Sequence, residues 1–573
     1  MNRTIIYTLF IVLVSMTLYT RASEVQLKSI SLYSDKKVLN PLLHPGEFAK
    51  LSVSAVDKNG QQVKLNPSEI SFMVKSKLSS DALPVLVLKG DQAFAGEGGL
   101  ATITVTVKRN TQVFTASTDI VVRPYYREYH QILVMKLMMG MEGEPVERLE
   151  KEPLFQNAHD VICTFEQAFD VIRKTDNLTM GIPKIIYLVG WQKGGHDHLY
   201  PAWDEVNPRL KRKQDKTALE SLNWLIREGR KYHTTVSLHI NMADAYKSSP
   251  LWNEYLKKDV LARDINGRVL SSSIQIKGDS LYNVSYTREW AEGLAQRRID
   301  RLVEMIPELK IGHTIHIDAF VSKTEFQPTL SPWHAKKENG GIDIFKEAET
   351  QHKIFRYWRA KGFDVTGEGL FWAHPPGEGF YGLQPMSWWY PADIGFQMNT
   401  PECLSARGRT DRKGDGDFRF GSSMHGEEIF VQDKENLPGF KEQFCRTTLP
   451  WFYLSQHSRI ALQGDTLLYS EGIKAFNQKG HHLIKQGELM LRDNNDLFVP
   501  ALWEKNRIIA YSESGYEHKQ WVLPLNWQKV KFADLYEITI NGPVLLSRRI
   551  SLKNGKIKLS VVKNQAIYIV PSA

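Results

Sequence analysis

Two acidic residues carry the most specific chemistry in this chain. In the run His313-Thr-Ile-His-Ile-Asp318-Ala-Phe, the alternation of strand side chains puts Thr314, His316 and Asp318 on one face. Asp318 falls near the end of the run, where a charge is costly unless it serves a site or is paired. A second run, Phe363-Asp-Val-Thr-Gly-Glu368-Gly, ends in a carboxylate between glycines that permit turning and close approach of a ligand. Two carboxylates on neighbouring strand ends suffice for glycoside hydrolysis. One attacks or stabilises the anomeric carbon, and the other protonates the leaving oxygen. The same acids could instead cap loops or form salt bridges, as many acids at such rims do. Asp364, at the start of its run, is expected at the opposite end and is a poor candidate.

The neighbouring polar groups favour the sugar chemistry. Ser237-Leu-His-Ile-Asn241 places Ser237, His239 and Asn241 on one face at another strand end. A glycine-rich stretch, Val189-Gly-Trp191-Gln-Lys-Gly-Gly-His-Asp197-His198, follows a third strand. Gln384-Pro-Met-Ser-Trp388-Trp389 lies in a long loop after Glu368. Indole faces stack on sugar C–H groups, while Asp, His and Asn bind hydroxyls. A single Trp is more often core than ligand, but the Trp388–Trp389 pair favours a binding role. Other chemistries lack their signatures. His196, Asp197, His198 and His239 are potential metal donors, but no helix carries two His four apart around a Glu, so no metal is expected. No strand–Gly-x-Ser-x-Gly–helix elbow occurs. Cys163, Cys403 and Cys445 have neither metal spacing nor a nucleophile signature. They are expected as buried thiols, with a Cys403–Cys445 bridge the alternative.

Positioning such groups requires a frame of strand ends. After Arg123-Pro124, apolar runs at 132–138, 185–189, 236–240, 314–320, 363–366 and 394–398 alternate with amphipathic helices. Leu219, Leu222, Leu225 and Ile226 mark one helix; Trp290, Leu294, Ile299, Leu302 and Val303 a second; Phe345, Ala348, Phe355 and Trp358 a third. Repeated strand–helix units predict a (β/α)8 TIM barrel over 125–465, with catalytic side chains at the C-terminal strand ends. A doubly wound sheet is the alternative, but a glycine-rich phosphate loop to support it is not found. Residues 23–124 alternate with turns every ten or so residues and predict an immunoglobulin-like β-sandwich. Residues 466–573 return to short strands and predict a C-terminal β-sandwich domain. The fold class expected is therefore multidomain α/β.

Composition sets the outer bounds. The chain has 573 residues, 42% hydrophobic and 24% charged, which is globular composition with room for two or three domains. Residues 1–22 read as a signal peptide, with Arg3, an apolar stretch from Ile5 to Leu18, and small residues at Thr20 and Ala22. An uncleaved N-terminal anchor is the alternative. The mature protein is expected to be secreted or periplasmic, without stable membrane insertion. The formal charge of +9 falls to +7 once Arg3 and Arg21 leave with that peptide. A basic stripe of the kind that marks nucleic-acid binders is not visible along the chain, so no nucleic-acid partner is expected. The modest excess is expected only to aid encounter with acidic polymers.

The stretches 185–198 (IIYLVGWQKGGHDH), 238–246 (LHINMADAY), 314–320 (TIHIDAF) and 364–369 (DVTGEG) resemble the catalytic barrel of endo-α-N-acetylgalactosaminidases. These are glycoside hydrolase family 101 and related shorter enzymes such as family 129, and the resemblance covers roughly 125–460. It implies a retaining mechanism on α-linked N-acetylgalactosamine of mucin-type O-glycans, with a carbohydrate partner and no cofactor beyond a possible structural calcium ion. By position it implies Asp318 as nucleophile and Glu368 as acid/base. It implies Asp197 as a ligand of sugar hydroxyls, and His239 with Asn241 as a pair lining the sugar site. His198, His316, Trp191, Trp388 and Trp389 are added from their placement alone. The flanking regions are shorter than in full-length family 101 enzymes, and a tryptophan-rich closing loop has no clear counterpart before Tyr282-Asn283. An exo-acting enzyme, another α-glycosidase and a non-catalytic glycan-binding protein are therefore the alternatives.

Overall fold

A computed structural model describes residues 26–76, 84–141, 161–276, 278–320, 329–368, 387–388, 424–425, 433–457, 459–463, 466–478 and 481–572. Its centre is a seven-stranded parallel sheet. The strands are β1 (Leu133–Met138), β2 (Lys184–Val189), β3 (Thr234–Asn241), β4 (Thr314–Asp318), β5 (Asp364–Glu368), β6 (Ser387–Trp388) and β7 (Met424–His425). They lie in the order β7-β1-β2-β3-β4-β5-β6, and every neighbouring pair is parallel. Six strands thus follow in chain order and the seventh returns to the first. Among the described residues β6 and β7 do not pair, so the sheet as described is open. The run at 394–398 lies outside the described residues.

Sequence explains why these segments are strands. Every residue of β1 and β2 is buried, as in a parallel sheet covered on both faces, and both strands are apolar apart from the buried Lys136 and Lys184. Between them stand helices α1 (Phe165–Thr179), α2 (Ala218–Gly229), α3 (Leu294–Met305) and α4 (Ile344–Ala360). Capping boxes start α1 at Thr164 and Gln167, and α2 at Thr217 and Glu220. The Asp343 side chain caps α4. The helix expected across Trp290 to Val303 is two pieces, Tyr286–Ala291 and Leu294–Met305. Gly293 between them takes a φ of +71°, which ends one helix and starts the next at a new angle.

The flanking regions are β structures. Two four-stranded sheets between Leu27 and Val122 enclose a core of Leu39, Leu51, Leu86, Ile103 and Ile120. From Arg459 to Pro571 a ten-stranded antiparallel sheet forms, with a two-stranded sheet of Tyr516–Val522 and Lys556–Val561 beside it. The chain is therefore a multidomain α/β protein with a large antiparallel sheet. One buried apolar cluster runs from Leu133 on β1 to Ile569 near the C-terminus, so the antiparallel sheet shares a core with the parallel one. Trp503 Nε1 donates to the Met180 carbonyl at 3.1 Å, and Asn177 Nδ2 to the Ile540 carbonyl at 2.9 Å, across that junction. Arg359 pairs with Glu97 at the N-terminal side. Cys163 and Cys445 are buried free thiols, and burial pushes the Cys163 thiol up to about 12. Cys403 lies outside the described residues.

Asp364 sits where its place at the start of β5 predicts, away from the strand ends that matter below. It accepts from the Tyr126 amide at 2.9 Å and from the Tyr129 hydroxyl at 3.2 Å. Burial pushes its carboxyl up to about 7. Burial does the same for Glu347 on α4, also to about 7, although Ser285 and Thr287 donate to it. A carboxyl raised above its unfolded value binds more protons when folded, so its contribution is full at low pH and is lost as pH rises toward 7. Urea unfolding is expected to show this falling stability from about pH 4 to pH 7. Asp364→Asn and Glu347→Gln should each remove about one proton from that slope. An unchanged slope in both variants would contradict the assignment.

Candidate active site

The C-terminal ends of β3, β4 and β5 meet at one level. Asn241 pairs in register with Asp318, and His239 with His316. One strand further, His316 pairs with Thr366 and Ile317 with Gly367, so Glu368 holds the register position level with Asp318. The His316 Nδ1 and Thr366 Oγ1 atoms lie 2.8 Å apart, so the side chains of β4 and β5 meet on this face. The side chain of Glu368 lies outside the described residues.

Asn241 holds Asp318 in place through its side-chain amide. Its side-chain oxygen accepts from the backbone amides of Ala243 at 2.8 Å and Asp244 at 2.9 Å. The amide nitrogen must then point the other way, where it donates to Asp318 Oδ2 at 3.2 Å and to Asp244 Oδ2 at 2.8 Å. The end of β3 is itself anchored, because the buried Arg298 donates to the Asn241 carbonyl at 2.8 Å and pairs with the buried Glu289. A buried pair of this kind is costly unless well bonded, and here Tyr255 adds a second donor to the Glu289 Oε1 that Arg298 already bonds.

Histidines form the adjoining wall. His239 Nε2 lies 3.8 Å from Asp318 Oδ1. Its ring stacks on His316 with centroids 5.0 Å apart, and meets His196 edge-on at 5.3 Å. His196 Nε2 in turn lies 3.5 Å from Asp197 Oδ2. One donor atom each from His196, His239 and Asp318 fall within 4.8 Å of one another, close enough to ligate a cation. A cation there would occupy the oxygen that a carboxylate nucleophile needs free. Below this wall Tyr200 and Tyr246 are buried, and their phenols are raised well above the usual value. Burial is the main cause and the Asp197 and Asp318 charges add to it, so both rings stay protonated and can donate.

The structure thus brings together Asp318, Asn241, His239 and His316, with Asp197 reached through His196. His198 is one step out, its Nε2 3.3 Å from Ser248 Oγ. Trp191 is wholly buried and donates to the His239 carbonyl at 3.0 Å, so it supports β3 and offers no open ring face. Trp388 is level with Glu368 in the backbone register, but its side chain and all of Trp389 lie outside the described residues. Asp244 is a site residue that pattern reading passed over; the signal was the Asn241-x-x-Asp244 spacing, which lets one Asn side chain close a turn and hold a second acid.

The loop after β2 needs its glycine. Gly190 takes a φ of +73°, and a Cβ there would stand 1.9 Å from the Gly140 carbonyl oxygen. That oxygen accepts the His196 amide at 2.9 Å, so Gly190 lets the histidine loop close on β1. Asp197 and Leu199 also hold positive φ without being glycine, strain that tends to collect at working sites. Gly190→Ala is expected to cost at least about 2 kcal/mol, read as a lowered urea midpoint. A midpoint within error of wild type would show that the loop can move aside.

Residues 140–364 match the sequence model of the family described as endo-alpha-N-acetylgalactosaminidase. The chain carries a glycoside hydrolase domain. The matched stretch holds β2, β3 and β4 with Trp191, Asp197, His239, Asn241 and Asp318, and it ends just short of Glu368. No curated protein matches the chain significantly by sequence. Among solved structures it is similar to the alpha-N-acetylgalactosaminidase NagBb from Bifidobacterium bifidum. The ligand-free form aligns at 13% identity over 61% of this chain and 56% of that one, with a TM-score of 0.40. The Gal-NHAc-DNJ complex aligns at 11% identity over 77% of this chain and 88% of that one, with a TM-score of 0.43. An alpha-amylase from Geobacillus thermoleovorans aligns at 10% identity over 77% of this chain and 99% of that one, with a TM-score of 0.35. Hydrolysis by two carboxylates needs no cofactor. Among the described residues no helix is long and apolar enough to cross a membrane.

Proposed function

We propose that the chain is an exported, retaining α-glycosidase that releases α-linked N-acetylgalactosamine, or its galactosyl disaccharide, from mucin-type O-glycans. In this reading 1–22 is a cleaved signal peptide, 23–124 a sandwich, 125–465 a closed (β/α)8 barrel and 466–573 a C-terminal β domain. The observation that carries the mechanism is the register of β4 and β5, which sets Asp318 and Glu368 level on adjacent strands. Adjacent strands put both carboxylates at one rim, which is the placement a double displacement by a nucleophile and an acid/base uses. The match to the endo-alpha-N-acetylgalactosaminidase family supports the sugar.

In the first step an Asp318 oxygen attacks the anomeric carbon as Glu368 protonates the departing serine or threonine oxygen. A glycosyl ester on Asp318 results. Glu368, now a carboxylate, takes a proton from water, which attacks the same carbon and frees Asp318. Asn241 orients the nucleophile throughout, and His239 and Asp197 hold sugar hydroxyls. Asn241→Ala removes a hydrogen bond to a charged group, so kcat should fall by about 10- to 100-fold. Steady-state kinetics on an aryl α-N-acetylgalactosaminide would read this; unchanged kcat would remove Asn241 from the positioning role. Retention itself is tested by proton NMR of the first-formed product. An α-anomer is expected, and a β-anomer would rule out double displacement.

A further inference from the structure

We propose that the C-terminal β region carries a docking surface for a sulfated glycan chain, a reading that rests on the carbohydrate function above and adds a second contact to it. Its basic residues are scattered along the sequence, but folding gathers them. Between 529 and 563 stand eight Lys and Arg residues against two carboxylates, Asp534 and Glu537. The Leu552 amide donates to the Lys531 carbonyl at 2.9 Å, and Lys553 and Lys556 exchange backbone bonds across the next turn. Arg549 lies over the Phe532 ring at 4.4 Å, which draws the Arg548–Arg549 step onto the strand that begins beside Lys531. Lys558 follows Lys556 on the same exposed side of its strand.

These six side chains are exposed, and none of them forms an ion pair with a carboxylate among the described residues. Asp534 is already engaged, accepting from the Arg549 amide at 2.9 Å and from Ser572. The Ser572 hydrogen bond, the Arg549 amide and the charges of Arg548 and Arg549 hold the Asp534 carboxyl below its ordinary value, so one acid offsets the patch in part, and a polyanion relieves the repulsion that remains. Arg548 and Arg549, consecutive in the sequence and both exposed, each offer a forked set of donors that suits the oxyanions of a sulfate. Single-stranded nucleic acid would need exposed rings to stack on, and Phe532 is partly buried beneath Arg549. Carbohydrate is the polymer to which the family match already ties the chain.

The test uses the full mature chain with a heparin oligosaccharide as the sulfated probe and the same oligosaccharide desulfated. Affinity is measured for wild type, for a Lys531→Glu/Lys556→Glu variant, and for a Lys28→Glu/Lys50→Glu control with the same charge change on the N-terminal sandwich. The patch variant should bind heparin about tenfold more weakly, with the control within about twofold of wild type. The desulfated chain should bind weakly to all three. Equal loss in patch variant and control would overturn the proposal, because net charge alone would then explain binding. So would equal binding of the desulfated probe, or tighter binding to phosphatidylserine vesicles than to heparin. Turnover of an aryl glycoside by the patch variant should be unchanged. If wild type binds heparin in this pattern but hydrolyses no glycoside, the enzymatic reading fails and the docking surface stands.

Discussion

Asp318→Ala is expected to abolish turnover, with a loss of at least about 10⁴-fold in kcat, because no other group can form the glycosyl ester. The fold should survive. Asp318 ends β4 at the rim of the site, and its loss frees Asn241 from one of its two acceptors while leaving the Asp244 bond in place. Unfolding should therefore shift by about 1–2 kcal/mol in either direction, within the range of a single hydrogen bond to a charged group. Circular dichroism and a urea midpoint near wild type, together with absent turnover, are the expected pair of results. Asp318→Asn is the sharper variant, since it keeps the shape and removes the nucleophilic charge. Full activity in Asp318→Asn would end the assignment.

The second large effect concerns leaving groups. Glu368→Gln should slow hydrolysis of serine- or threonine-linked sugar by about 10²- to 10⁴-fold, the usual worth of general acid catalysis. An aryl glycoside with an acidic phenol needs little protonation to depart, so its first step should be nearly spared. Its second step still lacks a base for water, and a small anion such as azide should restore turnover by attacking without deprotonation. The two variants thus differ in product: azide attacking the Asp318 ester in Glu368→Gln should give the α-glycosyl azide, whereas azide entering the cavity left by Asp318→Ala attacks the substrate directly and should give the β-glycosyl azide. Equal loss on both leaving-group types, without rescue, would count against Glu368 as the acid.

How much of this could be read in the sequence depends on how local the cause is. Strands β1 to β5 were legible because both-face burial favours apolar runs, which 185–189 shows unbroken and 132–138 shows with Lys136 as its one polar residue. The pairing of His239 with His316, and of Asn241 with Asp318, follows from strand alternation once two neighbouring strands end together. The break at Gly293 was not legible, since one glycine within a helical pattern is often tolerated and only its positive φ shows the turn. Trp191 was placed as a sugar platform, but residue type does not say which way an indole faces, and here it lies wholly under His239. Asp244 escaped because its role depends on a side chain three residues earlier that closes a turn. The basic cluster of the C-terminal region escaped for a different reason: its residues are interleaved with strand residues over 529–563, and only the antiparallel pairing brings Lys531 beside the 548–556 stretch.

The central claim is the bond cleaved, and product analysis addresses it most directly. The mature protein would be incubated with a desialylated mucin-type glycopeptide and the released sugar identified by mass spectrometry. Release of N-acetylgalactosamine, or of its galactosyl disaccharide, is the predicted result, and the same experiment decides between exo and endo action. No released sugar from folded wild-type protein, on both extended and unextended glycopeptide, would contradict the account.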